Sequence, residues 1–304
     1  MQINIVSHIL TNNLACTQVT GDDSPDLGFS SACAAEHDIP HHVVRLTADE
    51  LVDEYLPEII ELLQIYDGMV LRNSLVIAAV FKKANELGFK HAITGDGSDE
   101  LFGGYSFMWS HTDPAVWREK RDSMCAKWTF STDELAGKYL ITAHSPYMAE
   151  RTKNWAIQNT ERSDCIGVRP IRLYHGGECK DHETGKLILR EAYDTVASWR
   201  RKDPIEVGSG ATVIGKDFFW ANRISDEEFA AEKAALAQRG YIINSKELLV
   251  NFRIWEDIFG RDGMKLTNMK RLPVGEGCVG CCFDIGKEKM FCNLCGAYPA
   301  QRTS

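Results

Sequence analysis

The chain has 304 residues, 44% hydrophobic and 25% charged, with a net charge of −9. This composition excludes disordered, collagen-like and coiled-coil chains and fits a globular protein with a sizeable core. The negative balance repels phosphate backbones and anionic lipid, and the longest apolar run, residues 75–81, is far too short to span a bilayer, so neither nucleic acid nor membrane is an expected partner.

The start, Met1-Gln2-Ile3-Asn4, has no basic segment and no small-residue cleavage site, which makes the reducing cytoplasm the expected compartment. Through the first half, short β-like runs alternate with helical patterns. Residues 14–19 and 42–46 read as strands, and residues 90–94 as a shorter one. Ser24-Pro25-Asp26 offers an N-cap, a proline at the first helical position and an early acid for the exposed amides. Leu51, Tyr55, Ile59 and Leu63 recur at fourfold spacing and predict a helix over residues 50–66, bent or restarted at Pro57. A third helix follows Asn73-Ser74 and stops at Gly88. Such alternation predicts parallel strands joined by crossover helices.

The second half reads as mostly helical. Residues 113–128 mix apolar and charged side chains at helical spacing, Ser225 with Glu228 forms a capping-box pattern closed by Gly240, and residues 246–259 are amphipathic. Residues 166–185 read as loop. Beyond Arg261 the helical pattern ends, and a glycine- and cysteine-rich tail begins near Gly275. The expected fold is therefore α/β: a parallel sheet with flanking helices, a helical second half and a small Cys-rich tail. The expected domain boundary falls between residues 260 and 261.

The most informative segment is Ile93-Thr94-Gly95-Asp96-Gly97-Ser98-Asp99-Glu100-Leu101-Phe102-Gly103-Gly104-Tyr105, placed after a predicted strand. Gly95 and Gly97 let backbone amides approach a ligand with no Cβ in the way. Amides so exposed suit phosphate oxygens. Asp96, Asp99 and Glu100 would repel phosphate unless a divalent cation intervenes, so this composition predicts Mg²⁺. For a generic pair of glycines, a solvated turn would be the plainer explanation.

In the tail, Cys278-x-x-Cys281-Cys282 and Cys292-x-x-Cys295 form paired knuckles, with Gly280, Gly286 and Gly296 available for tight turns. Four thiolates, Cys278, Cys281, Cys292 and Cys295, match tetrahedral zinc, and Cys282 is the spare. An iron–sulfur cluster can use the same thiolates, and free cysteines in a flexible tail are the alternative without metal. Cys16, Cys33, Cys125, Cys165 and Cys179 lack metal-like spacing and are expected to be core or incidental.

The glycine-acid segment resembles the signature of the asparagine synthetase family, SGEGSDE or SGDGxDE running into LFGGY. The resemblance extends to both sides. Ser24-Pro25-Asp26-Leu27 with His41-His42-Val43-Val44 is similar to that family's SPDL helix and following strand, and Leu71-Arg72-Asn73-Ser74 to its IRxS helix start. Gly185-Lys186-Leu187-Ile188-Leu189-Arg190-Glu191 is similar to its GKxxLRE helix. Trp199-Arg200-Arg201-Lys202-Asp203-Pro204 followed by Gly208-Ser209-Gly210 is similar to its WRxKxxFxxGxG loop.

The resemblance implies an adenine-nucleotide α-hydrolase-like fold over residues 1–260. It also implies ATP-dependent, AMP-forming amide synthesis through an acyl-adenylate, with aspartate as the default carboxylate. By position in the family pattern, Thr94, Gly95 and Gly97 would contact the nucleotide and Val19 the adenine end. Asp99 would hold Mg²⁺ on the pyrophosphate, Asp96 would act as general base, and Lys202 would neutralise charge on the transferred phosphate. A carboxylate-amidating or β-lactam-synthetase-like ligase is one alternative. A noncatalytic remnant with a zinc-binding interaction tail is another.

Three departures from the family pattern accompany these expectations. Position 2 is Gln2 rather than a glutaminase cysteine, and no glutaminase-sized segment precedes the synthetase-like region, so ammonia is expected from solution or a separate glutaminase subunit. No SGGxDS pyrophosphate loop occurs. Residues 1–10 resemble the helix that follows that loop, which leaves a central strand to be supplied by another chain, lost by truncation or replaced by rearrangement. Finally, His144 in Ala143-His144-Ser145-Pro146-Tyr147-Met148 stands where the family carries arginine, and is expected to be structural, at a domain contact.

Overall fold

A computed structural model describes residues 3–7, 12–20, 24–195, 197–286 and 289–301, and within residues 3–20 the side chains of Thr17, Val19 and Thr20 only. In chain order the main elements are β1 (Ile3–Ser7), β2 (Asn12–Thr20), α1 (Pro25–Glu36), β3 (His41–Leu46), α2 (Ala48–Leu63), α3 (Gly68–Glu86), β4 (His91–Ile93) and α4 (Ser98–Leu101). There follow α5 (Pro114–Lys127), α6 (Thr132–Lys138), β5 (Thr142–His144), α7 (Glu150–Asn159), α8 (Arg162–Cys165), β6 (Gly167–Arg172) and β7 (Cys179–Thr184). The last are α9 (Leu187–Ala192), α10 (Ile205–Gly208), α11 (Asp226–Gln238) and α12 (Lys246–Phe259). Among the described residues, no helix is long and apolar enough to cross a membrane.

Local chemistry sets many of these boundaries. Thr47 and Glu50 form a reciprocal capping box: the threonine hydroxyl accepts from the Glu50 amide at 3.1 Å, and the Glu50 carboxylate accepts from the Thr47 amide at 2.7 Å. The α2 helix they start runs through Pro57 without restarting. Its buried face of Leu51, Val52, Tyr55, Leu56, Ile59 and Ile60 is continuous across the proline and compensates the lost hydrogen bond. It ends at Leu63, short of Tyr66, because Gln64 adopts a left-handed conformation. The next helix starts ahead of Asn73, where Asp67 Oδ1 accepts from the Met69 amide at 3.0 Å. Asp113, Ser225 and Ser245 cap α5, α11 and α12.

The chain forms two compact units, one of Met1–Arg45 and Val80–Gly210, the other of Leu46–Ala79 and Ala211–Ser304. These cut across the boundary expected at 260/261: the Cys-rich segment packs in the same unit as α2, α11 and α12.

The first unit holds a five-stranded sheet of order β3-β2-β1-β4-β5. It is mixed, not parallel as expected. β1 pairs antiparallel with β2, from Ile3↔Cys16 to Ser7↔Asn12, and antiparallel with β4, while β4 and β5 are parallel. Within residues 1–10, expected to be helical, the described residues 3–7 are a strand, and the β-branched run of Ile3, Ile5 and Val6 accounts for that preference. This strand fills the position between β2 and β4. Residues 166–185, expected as loop, contain the β6–β7 hairpin. The hairpin is largely exposed and offers no alternation of apolar and polar residues from which to recognise it. Leu101, Phe102, Met108, Trp117, Cys125, Ala156, Cys165 and Ile166 form a core beside α4 and α5.

The second unit is organised around an aromatic cluster. Trp255 lies against Tyr66, Phe252, Phe259 and Phe283, with ring centroids 5.3–5.9 Å apart, and its indole N–H donates to Gln64 O at 3.2 Å. Replacing Trp255 by alanine is expected to cost about 3–5 kcal/mol of stability, measured by equilibrium urea unfolding. A loss below about 1 kcal/mol would show that α12 and the Cys-rich segment do not share this core.

Candidate functional site

The β4 strand hands over to the glycine-acid loop at Thr94, whose amide donates to His144 O at 2.9 Å. Gly97 follows at φ 87°, a left-handed value that favours glycine, and Ser98 starts α4 with its hydroxyl donating to Gly95 O at 2.8 Å. The three acids of the loop then diverge. Asp96 is 6% exposed, and its Oδ2 accepts from the hydroxyls of Thr94 at 3.0 Å and Thr132 at 2.7 Å. Burial raises its pKa against these two bonds. Glu100 is equally buried and accepts from the Tyr105 hydroxyl at 2.6 Å; burial raises its pKa too.

Asp99 takes a different course. Its Oδ1 stands 3.0 Å from Lys186 Nζ. Burial pushes its pKa up, but the charges of Lys186 and then Lys202 outweigh burial and hold the carboxyl below its ordinary value. Lys186 has fewer opposing charges around it, and burial lowers its pKa more than Asp99 raises it. The pair depends on close backbone contact. A Cβ on Gly104 would lie 1.8 Å from Asp99 Oδ1, and one on Gly185 would lie 1.9 Å from Gly103 O. Lys186 itself is left-handed at φ 61°, with its amide donating to Phe102 O at 2.9 Å.

Residues 198–203 form the facing wall. Arg172 brackets this segment like a strand partner: its amide donates to Trp199 O and its carbonyl accepts from the Arg201 amide, both at 2.8 Å. Arg190 supports the segment from below, donating to Gly185 O at 2.8 Å and Arg200 O at 2.9 Å, and burial, then the charge of Arg200, lowers its pKa to about 10. Arg200 pairs with Asp26, and Gly208 packs so closely on Asp26 that a Cβ there would lie 2.3 Å from its Oδ2.

These segments enclose a cleft of ≈ 510 Å³ whose walls include Gly95, Ser98, Asp99, Lys186, Arg200 and Lys202. Its cations, Lys186, Arg190, Arg200, Arg201 and Lys202, outnumber its carboxylates, Asp99 and Asp203. Lys202 makes no ion pair among the described residues; its ammonium lies 5.0 Å from the Tyr105 ring centroid. A cation-rich cleft lined by Gly95 and two aspartates, Asp99 paired with Lys186 and Asp203 with Arg201, suits a polyphosphate carrying Mg²⁺, which is commonly held by one or two carboxylates plus phosphate oxygens.

The residues expected from sequence divide accordingly. Gly95, Asp99 and Lys202 share the cleft. Thr94 and Gly97 are buried behind it, the Thr94 hydroxyl contacting Ser145 Oγ at 2.6 Å. Val19 is fully buried in β2 and forms no part of the described wall, and Asp96 faces its two hydroxyls instead of the cleft. His144 pairs with the exposed ring of His91 at 3.1 Å. Sequence reasoning missed Lys186, Arg190 and Arg200 as members of the cleft, although all three lie in motifs that carried the family resemblance.

In the second unit, Cys278, Cys281, Cys292 and Cys295 are buried, with all four sulfurs within 4.8 Å of one another. Cys278 and Cys295 are 3.7 Å apart, as are Cys281 and Cys292. These four residues can hold a metal ion. Cys282 stands apart, its sulfur 3.3 Å from Gly240 O. Cys125 and Cys165 are buried in the first unit, Cys33 is half-buried and Cys179 exposed; the Cys16 side chain lies outside the described residues.

Comparison with known proteins places the chain in a family. Residues 6–164 match the family described as Asparagine synthase, and the chain belongs to that family. It is 28% identical over 230 residues to a probable glutamine-hydrolyzing asparagine synthetase of Dictyostelium discoideum, covering 70% of this chain and 39% of that protein. It is 23% identical over 252 residues to asparagine synthetase B of Escherichia coli (strain K12), covering 78% and 41%. A probable asparagine synthetase of Schizosaccharomyces pombe (strain 972 / ATCC 24843) is 28% identical over 272 residues, covering 84% and 46%. The chain thus spans less than half the length of these relatives.

Replacing Lys186 by methionine removes one of the two cations acting on Asp99, so the carboxyl should titrate higher than in the wild type, as read by side-chain carbon NMR. Because the folded-state pKa of Asp99 is depressed, its stabilising contribution is present above the ordinary aspartate range and is lost as pH falls through the lowered pKa. An Asp99 titration unchanged by the substitution would contradict the pairing.

Proposed function

We propose that the chain is the ATP-dependent ligase portion of an asparagine synthetase, with an adenine-nucleotide α-hydrolase-like fold. In this reading it forms an amide on a carboxylate, aspartate by the names of its relatives, with ammonia from solution or from a glutaminase segment or subunit. The observation that carries the reading is the convergence of Gly95, Asp99, Lys186 and Lys202 on one cation-rich cleft, built from the motifs of the family to which the chain belongs.

Each residue has a role that follows from its surroundings. Gly95 offers backbone to phosphate oxygens without a Cβ, with Thr94 fixed behind it by Ser145 and Asp96. Gly97 gives the loop its left-handed turn, and Val19 backs the adenine end from within β2. Asp99, kept ionised by Lys186 and Lys202, would hold Mg²⁺. When bound, this ion neutralises charge on the departing pyrophosphate. Lys202, resting on an aromatic face and in no ion pair among the described residues, is available to the transferred α-phosphate, where a fixed cation stabilises developing charge. Activation would join the carboxylate to the α-phosphorus and release pyrophosphate; amine attack at the acyl carbon would then release AMP. Asp96, outside the cleft wall and with Oδ2 held by two hydroxyls, acts in this reading as a positioning residue instead of the general base.

One observation favours a second reading, a noncatalytic relative: β1 lies antiparallel between β2 and β4, which interrupts the sheet on the side of β4 that leads into the glycine-acid loop.

ATP–pyrophosphate exchange with aspartate and Mg²⁺ tests both readings. The ligase reading predicts aspartate-dependent exchange that falls by about 10²–10³-fold in Lys202→Ala. Binding of MgATP without exchange, in folded wild-type protein, would overturn it in favour of the noncatalytic relative.

A further inference from the structure

We infer that Cys278, Cys281, Cys292 and Cys295 bind a single zinc ion and that this ion clamps the turn between α2 and α3. The inference is independent of the ligase reading, since it shares no residue with the cleft. A tetrahedral ion with Zn–S bonds of about 2.3 Å requires sulfurs about 3.8 Å apart. Two of the sulfur pairs are at 3.7 Å and none exceeds 4.8 Å. Iron–sulfur clusters place two or more irons between their thiolates and spread them further than one ion does. The close spacing therefore favours a mononuclear site.

The close pairs cross between the two knuckles: Cys278 meets Cys295, and Cys281 meets Cys292. An ion at the centre therefore joins two separate segments of chain. Four sulfurs fill all four tetrahedral positions, which leaves none open for catalysis, and the burial of every ligand shields the ion from solvent. The excess negative charge of four thiolates on one divalent ion needs donors around it. The Gly280 amide donates to Cys278 Sγ at 3.3 Å. The Tyr66 hydroxyl is fully buried in the same unit and has no hydrogen-bond partner among the described residues.

What the ion holds follows from the contacts of each knuckle. On the second, Leu294 O accepts from the Tyr66 amide at 2.9 Å. Gly296, left-handed at φ 78°, packs so closely on Asp67 that a Cβ would lie 2.5 Å from its Oδ1. That same oxygen accepts from the Met69 amide and starts α3. On the first, Gly280 O accepts from the Ile242 amide and the Val279 amide donates to Ala300 O, both at 2.9 Å. Among the described residues of 278–296 only turns and single backbone hydrogen bonds hold these contacts in register, and the metal bonds add the cross-link between the two knuckles.

The test uses the full chain purified without added metal. Elemental analysis should find one zinc per chain in a colourless protein. Stripping zinc with a thiol reagent and chelator should remove hydrogen-exchange protection from residues 64–69 and 292–296 together, while residues 94–105 in the other unit keep theirs, and added zinc should restore it. Cys292→Ser should lose both the metal and the protection. If that variant does not fold, Gly296→Ala provides the second arm: it should retain zinc yet lose protection at residues 64–69. Folded, metal-free native protein or visible absorption from bound iron would overturn the zinc assignment. Zinc removal that leaves residues 64–69 protected would overturn the clamp.

Discussion

Two backbone segments of the first unit approach so closely that side chains cannot fit between them, and the candidate active site rests on that approach. Gly103 and Gly104 meet Gly185 and Lys186 at distances that leave no space for a Cβ on Gly104 or Gly185. The contact carries the Lys186 ammonium to Asp99 and, through Arg190, fixes the carbonyls of residues 185 and 200. Without it, Asp99 would lose the larger of the two lysine charges that oppose its burial, and its carboxyl would titrate higher, in the direction that burial drives Asp96 and Glu100. Close packing of glycines thus becomes an electrostatic property: the carboxyl held below its ordinary value is the one that faces the cleft, while the other two serve as internal hydrogen-bond acceptors.

The second unit solves a different problem. Among the described residues its Cys-rich segment is held by turns and single backbone hydrogen bonds instead of helices or strand ladders. Aromatic packing around Trp255 and Phe283 supplies a surface on which the segment can lie, and four convergent cysteine sulfurs can hold a metal ion as its cross-link. Such an arrangement suits a short segment in which metal bonds replace the core that a larger domain would build.

The extent to which the sequence reveals the structure depends on how local each feature is. The α5 and α12 boundaries could be read because Asp113, Pro114 and Ser245 act on the neighbouring turn. The thiolate spacing was equally plain. Asp99 and Lys202 were recognisable as site residues, but Lys186 was not, because its pairing depends on a glycine contact between segments more than eighty residues apart in the chain. The setting of Asp96 was hidden for a similar reason: Thr132, which engages its carboxylate, is a distant residue with no motif of its own. The mixed sheet was hidden by the resemblance itself, which suggested a helix where the β-branched run at Ile3, Ile5 and Val6 forms a strand. The β6–β7 hairpin gave no signal because neither of its faces is consistently apolar.

A structure of the chain determined with Mg²⁺ and a nonhydrolysable ATP analogue would test the central claim most directly. The account predicts phosphate oxygens against the Gly95–Ser98 backbone, the metal on Asp99, and the Lys202 ammonium moved from the Tyr105 ring onto phosphate. Nucleotide bound away from these residues, or none at saturating concentration in well-ordered crystals, would contradict it.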